Sequence, residues 1–496
     1  MIVFASFFVS LCLSSQKTEI RMEWSDTSFM WLLYWLYWIV ALFIMTRVVL
    51  RKRDTVKTLA WIMVFVFMPF LGLLLYFFFG RDTRKKRMAG KRLISQIKQR
   101  SSLKIGGRVN GGVQPEYQPL VTFFENVSSA SLLSFDSAEV ISDTRLFYER
   151  LFEIISAAED HIHLQFYIVE DDEFGRRLRD VLVAKAKQGV EVRMIYDSVG
   201  CWRVDRGFFE SLRCAGVYVE SFLKVFFPLL SNRVNYRNHR KIVVVDGKVG
   251  LVGGCNIADR YLKGVNGGCW RDTMLLLRGA AVNGLQTSFV VDWYFANGTQ
   301  ISGKRYFPLA DVDSGSYAQI VTSNPVGDVR AIVAGYIKVL SLAKGYVYMQ
   351  TPYFMPDEAF LQALKCASMS GVDVRLMIPE KSDSTIADYA SMSYLGDLLD
   401  SGVKVFLYRG GMLHCKSVVC DDYLSSIGST NLDFRSFFYN FEVSAFVYDK
   451  AVALDVKEAF LNDLKQCRQL TASEYRRRSF FKRCAESFVK LFSPLL

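Results

Sequence analysis

The chain has 496 residues, about half of them apolar, a length that suggests two or three domains with a sizeable core. Ten scattered cysteines without a CxxC pair exclude a disulfide framework and a zinc signature, and no other cluster has metal-ligand spacing. The 61 Lys and Arg exceed the 49 Asp and Glu, so the net charge of +12 points to nucleic acid or acidic lipid as partner.

Residues 1–29 form an N-terminal segment whose start, MIVFASFFVSLCLSS, is similar to a short signal core but lacks a basic leader. A third anchor, or a start at Met22, fits equally well. Two runs of 21 residues follow, 30–50 with the single charge Arg47 and 59–79 with none, within a region spanning 30–80. Roughly 20 apolar residues cross a bilayer as a helix, so both are expected to span one. Trp and Tyr crowd the first, as at a membrane interface. The basic linker 81–114 carries more positive charge than the loop between the spans, which places the rest of the chain in the cytoplasm. Basic residues thus flank the membrane spans and the tail, not an aromatic-lined groove, and this favours lipid over nucleic acid.

From residue 115 strand-like and helical runs alternate, an α/β pattern, and the pattern occurs twice. The halves are expected over 115–312 and 313–466, each a sheet flanked by helices. Gln165 matches Gln350; KQGVEVRMIYD matches MSGVDVRLMIPE; CAGVYVESF matches DSGVKVFLY. Last in each series comes an octet, HRKIVVVD at 239–246 and HCKSVVCD at 414–421. His161 and His163 alternate on a strand and read as sheet or core residues.

Asp246-Gly247 between two β-rich runs predicts a hairpin, with strands over 239–245 and 249–254. His239 and Lys241 would share a strand face, and the returning strand brings Asn256 back to them. His414, Lys416 and Asn431 repeat the spacing. Such a set suits phosphodiester chemistry. Lys and Asn donors neutralise phosphoryl oxygens, and His is a nucleophile and proton carrier near neutral pH. One half supplies one His; in-line displacement needs an attacker and a leaving-group acid, hence both halves. A carboxylate should orient each His through its other ring nitrogen, and Asp272 and Glu442 are the candidates. Asp246 and Asp421 close the octets, but Asp246 falls at the turn, out of phase with His239, where turn formation or backbone hydrogen bonding suits it. Cys415 should face away from His414 and Lys416.

H-x-K-x4-D twice, each followed by G-[GS]-x-N, resembles the phospholipase D superfamily. The stretches NYRNHRKIVVVDGKVGLVGGCNIADRYL, WRDT, TPYFMPD, HCKSVVCDDYLSSIGSTNLDFRSFFYNFE and the closing FSPLL resemble bacterial cardiolipin synthases over nearly the whole chain. The resemblance implies two pseudo-twofold-related domains with one site between them, in a multi-pass protein of the bacterial inner membrane. It implies that His239, Lys241, Asp246, His414, Lys416 and Asp421 form the catalytic motif. His239 would attack phosphorus and His414 serve as acid, then base. Two phosphatidylglycerols would give cardiolipin and glycerol without a cofactor, with Asn256 and Asn431 on the phosphate. A phosphodiesterase or nuclease of the same fold, or another phosphatidyltransferase, is the alternative.

Two lipid-facing features lie outside the motifs. Residues 222–230, FLKVFFPLL, read either as a buried strand and helix or as a membrane-dipping lip. The tail, 467–496, sets Phe481, Ala485, Phe488 and Phe492 at helical spacing among Arg and Lys, which predicts an interfacial helix on anionic lipid.

Overall fold

Strand and helix signals from residue 133 onward resolve into two sheets of one topology. The computed structural model describes residues 23–50, 55–68, 70–76, 112–224, 235–264, 268–308, 315–325, 327 and 329–493. The signal-like start lies outside these residues, as do most of the basic linker and most of the 222–230 run. The chain forms two compact units, 1–84 and 85–496.

In the first unit, α1 (Glu23–Leu50) contains Met30–Leu50, long and apolar enough to cross a membrane. The second expected span is not one helix. It divides into α2 (Thr55–Phe67) and α3 (Leu71–Leu75), with Phe70 at φ 62° between them. Pro69 in the sequence accounts for the break, since proline disfavours helix at the residue before it and lacks an N–H.

The second unit begins with α4 (Gln118–Ser128), β1 (Leu133–Ser134), β2 (Ser137–Ile141) and α5 (Thr144–Ser156). Two crossover units follow: β3 (His161–Phe166), α6 (Glu173–Lys187), β4 (Glu191–Asp197), α7 (Arg206–Cys214) and β5 (Tyr218–Phe222). Then come β6 (Arg237–Asn238), the hairpin β7 (Ile242–Val245) and β8 (Val249–Gly253), α8 (Arg260–Lys263), β9 (Cys269–Arg271), β10 (Met274–Arg278) and α9 (Val282–Asn297). The second half runs β11 (Tyr317–Ser323), α10 (Ala331–Leu342), β12 (Tyr346–Gln350), β13 (Phe354–Met355), α11 (Glu358–Met369), β14 (Asp373–Pro379), α12 (Thr385–Ser393), α13 (Leu395–Asp400) and β15 (Lys404–Tyr408). It continues with β16 (Gly411–Leu413), β17 (Ser417–Cys420), β18 (Leu424–Gly428), β19 (Leu432–Asp433), α14 (Phe434–Phe438), β20 (Asn440–Tyr448) and α15 (Lys450–Leu464). The chain closes on β21 (Cys467–Leu470), α16 (Ala472–Arg476) and α17 (Phe480–Lys490).

The first sheet has the order β2-β10-β8-β7-β3-β4-β5. The second repeats it as β11-β20-β18-β17-β12-β14-β15, with β1 and β21 added at its edges. In each, three strands joined through helices are parallel and the hairpin is antiparallel. Tyr117, Leu120, Val121 and Phe124 pack in the second half's core with Val347 and Leu376, and β1 pairs with β11. Residues 115–134 therefore pack with the second half, although they precede the first in sequence.

The expected strand over 239–245 begins only at Ile242. The reason is a change of partner: Arg237 and Asn238 pair with Asn440 and Phe441 of the other half, and His239 N–H donates to Phe441 O at 2.9 Å. The hairpin turn is as expected, with Asp246 at φ 53° and Gly247 at φ 65°.

Candidate active site between the halves

Two short strand pairs cross from one half to the other, and they build the site. Parallel β6 and β20 align Arg237 with Asn440 and Asn238 with Phe441, so the next residues, His239 and Glu442, lie opposite each other. Parallel β16 and β9 align Leu413 with Arg271, which sets His414 opposite Asp272. Each His thus meets the carboxylate of the other half. His239 Nδ1 is 3.1 Å from both Glu442 oxygens and 3.0 Å from Ser429 O; His414 Nδ1 is 2.6 Å from Asp272 Oδ2. All these neighbours are acceptors, so each Nδ1 carries the hydrogen and each Nε2 keeps its lone pair.

The lysines lie under this layer. Lys241 Nζ donates to His239 O at 2.7 Å, and Lys416 Nζ donates to His414 O. The charge of both ammonium groups reaches both histidines, so the two motifs form one electrostatic cluster. Burial first, then the lysines, hold His414 down to about 4, while Asp272 pulls the other way. His239 is lowered by burial, with Glu442 opposing and Lys241 reinforcing it. Burial and the neighbouring Lys416 bring Lys241 down to about 7, against the pull of Glu442. Burial raises Glu442 and Asp272, but nearby histidine and lysine outweigh it, so both stay below the ordinary carboxylate range. The resting site pairs neutral imidazoles with ionised carboxylates.

The G-[GS]-x-N residues explain how the carboxylates are seated. A Cβ on Gly254 would sit 2.1 Å from Asp272 Oδ1, so only glycine lets that carboxylate approach. At the matching place Ser429 donates its hydroxyl to Glu442 Oε2. Asn256 accepts from Ile168 N–H at 3.1 Å and donates to Tyr261 Oη at 3.1 Å. Asn431 donates to Asp433 at 3.0 Å and lines the cleft above His239. That cleft, of about 250 Å³, is also lined by Tyr167, Tyr353, Arg237 and Arg435.

Asp246 and Asp421, grouped above with the catalytic motif, direct their carboxylates to backbone N–H groups. Asp246 accepts N–H bonds from Glu159, Asp160 and His161 at 2.8–3.0 Å, fixing the start of β3. Asp421 does the same for Lys344, Gly345 and Tyr346 at 2.7–2.8 Å before β12. The octet's strand carries them to the far end from its His. Cys415 is buried, its Sγ donates to Arg271 O at 3.5 Å, and burial pushes its thiol up to about 12. His161 and His163 are buried in β3, as their alternation implied.

Sequence reasoning missed the supports. Asp292 of α9 receives Arg240 at 2.5 Å and Gln165 at 2.5 Å; Asp463 of α15 receives Arg271 at 2.9 Å and Gln350 at 2.8 Å. The Gln165–Gln350 match and an acid inside the apolar run SFVVDWYF were the available signals. Tyr167 and Trp270, whose rings lie 5.1 and 5.0 Å from those of His239 and His414, were not singled out.

A duplicated sheet with paired histidines and lysines at the junction defines a phospholipase D-type fold. The family described as "Cardiolipin synthase, PLD-like domain" matches residues 151–283 and 336–464, and the "Phospholipase_D-nuclease N-terminal" family matches 36–81. The chain is 40% identical over 460 residues to "Major cardiolipin synthase ClsA" of Bacillus subtilis (strain 168), covering 90% of this chain and 95% of that one. It is 38% identical over 473 residues to "Cardiolipin synthase" of Listeria innocua serovar 6a, covering 92% and 96%. The phosphatidylserine synthase of Haemophilus influenzae Rd KW20 shares the fold, with a TM-score of 0.58 at 14% identity over 76% of this chain and 98% of that one. The chain belongs to the bacterial cardiolipin synthase family of the phospholipase D superfamily, and it is a membrane-associated protein.

Proposed function

We propose that the protein transfers a phosphatidyl group from one phosphatidylglycerol to another, giving cardiolipin and glycerol through a phosphohistidine. The observation that carries this reading is the crossed arrangement: two imidazoles, each held by the opposite half's carboxylate, with two ammonium groups beneath them. His239 is assigned as nucleophile because it lines the open cleft. Its Nε2 attacks phosphorus, the P–O bond to glycerol breaks, and the departing oxygen takes a proton from His414. His414 then removes the proton from a terminal hydroxyl of the second lipid. That oxygen attacks phosphorus, and the P–N bond to His239 breaks. Lys241 and Lys416 offset charge on the phosphoryl oxygens. Burial first, and then the two ammonium groups facing it, keep His414 neutral before substrate binds. An arriving phosphodiester anion offsets them and favours the imidazolium needed for the first step. Asn431, at the cleft, can turn its amide to phosphate; Asn256, engaged with Ile168 and Tyr261, serves first to hold the loop.

The catalytic unit is assigned to the cytoplasmic side of a bacterial inner membrane, with two N-terminal crossings, on the basic residues that follow the second apolar run. Purified protein in phosphatidylglycerol vesicles should form cardiolipin and glycerol in equal amounts by mass analysis. The unsubstituted protein, denatured at neutral pH during turnover, should carry a phosphatidyl group that H239A lacks. Wild type that releases no glycerol, or H239A that retains synthesis, overturns the reading.

A further inference from the structure

Joining two anionic lipids requires two phosphates in the site at once. One reacts at His239; the other, on the acceptor lipid, sits one glycerol length away and only has to be held. Hydrolysis requires only the first. The lysines lie beneath the histidines with Nζ on the histidine carbonyls, whereas Arg237 and Arg435 line the cleft itself. The two arginines come from different halves, Arg237 from β6 and Arg435 from α14. Burial lowers Arg237, Asp197 and Tyr167 oppose this, and Arg435 is close enough to add to the lowering. Two guanidinium groups lining one cleft give it the donors and charge that a phosphodiester anion accepts.

The carboxylate nearest in sequence is already engaged. Asp433 accepts from Ser436 N–H at 2.6 Å and from Asn431 at 3.0 Å. Among the described residues no carboxylate pairs with Arg435, although Arg240 and Arg271 each have a buried acid. A half-exposed arginine left without an acid beside a phosphate-transfer nucleophile is suited to a second phosphate.

We infer that Arg435, with Arg237, binds the unreacting phosphodiester of the acceptor lipid, and so sets the choice between transfer to lipid and transfer to water or free glycerol. The inference rests on the proposed transfer reaction. Two reactions of one preparation separate them. Exchange of labelled glycerol into phosphatidylglycerol passes through phospho-His239 with a single lipid, while cardiolipin formation needs the second.

R435Q should lose about tenfold or more in cardiolipin formation, through a raised KM for phosphatidylglycerol, yet keep glycerol exchange within about twofold. Phosphatidic acid should rise as a share of product. R435K, which keeps charge without the bidentate fork, should fall between. Unchanged cardiolipin formation in R435Q, or an equal loss of both reactions, overturns the inference. Should R435Q fail to fold, R435K decides by the same ratio: exchange kept with acceptor KM raised supports the site, and equal changes reject it. Failure of the transfer reading itself is seen separately, as absence of both reactions in the unsubstituted protein.

Discussion

His239 Nδ1 lies 3.1 Å from Glu442, a residue 203 positions further along the chain. The reciprocal pair, His414 with Asp272, spans 142 positions. Neither half holds a complete His–carboxylate pair, so the duplicated fold supports one site rather than two.

E442Q and D272N test the crossed pairs. The amide can keep the ring in place but cannot stabilise imidazolium or fix the tautomer. Phosphatidyl transfer should fall by about 10²–10⁴ in either variant. Thermal unfolding measured alongside separates this from loss of fold, and a fall of less than about fivefold in both variants would remove the positioning role.

Asp246 should matter for stability and not for chemistry. D246A loses three N–H bonds to a carboxylate, at a cost of about 2–4 kcal/mol, and Tm should fall by several degrees. D246N, which tolerates the positive φ, should recover part of this. The kcat of folded D246N should stay within about threefold of wild type, since the side chain touches no reacting group.

The rate profile follows from the depressed histidine and lysine values. The acid limb of kcat/KM should lie below 6.5, the ordinary value from which His239 is lowered. Its alkaline limb should begin near pH 7, where Lys241 loses its proton before substrate binds. Bound phosphodiester favours the ammonium, so kcat should stay level to higher pH than kcat/KM. A flat kcat/KM from about pH 7 to 9 would contradict the role of Lys241.

Stability should fall in acid for the same reason. The unfolded chain protonates His414 below 6.5, whereas the folded chain resists until about 4. Between these values the unfolded state binds more protons, so stability falls as pH falls. H414Q should show a shallower decline of Tm from pH 6.5 to 4 than wild type. Parallel declines would show that His414 is not the linked group.

Helix α17 packs Glu486 and Val489 towards the protein and turns its phenylalanines outward, with Phe481 84% exposed. Glu486 is paired with Arg478, and Val489 packs near Ala387 of α12, which lines the cleft. A helix that buries its acid and exposes its aromatic rings among Lys482, Arg483 and Lys490 suits an anionic lipid surface beside the cleft. In F481W, chain-brominated phosphatidylglycerol should quench the added fluorescence, and K482E/R483E should weaken this quenching. Equal quenching by zwitterionic vesicles would remove the charge argument, and no quenching would remove the contact.

The sequence by itself determined the repeat, the hairpin of each octet, the first apolar span and the residue types of the site, including Asp272 and Glu442. Those features rest on local periodicity and turn chemistry, which are written in consecutive residues. Tertiary structure alone decided which carboxylate serves which His, because strands β6 and β16 leave their own sheets to pair with β20 and β9 of the other half. It also set the carboxylates of Asp246 and Asp421 on backbone N–H groups and brought Arg237 and Arg435 to one cleft. A period of two specifies the face a side chain takes, but not which distant strand lies opposite; that depends on the packing of two cores against each other.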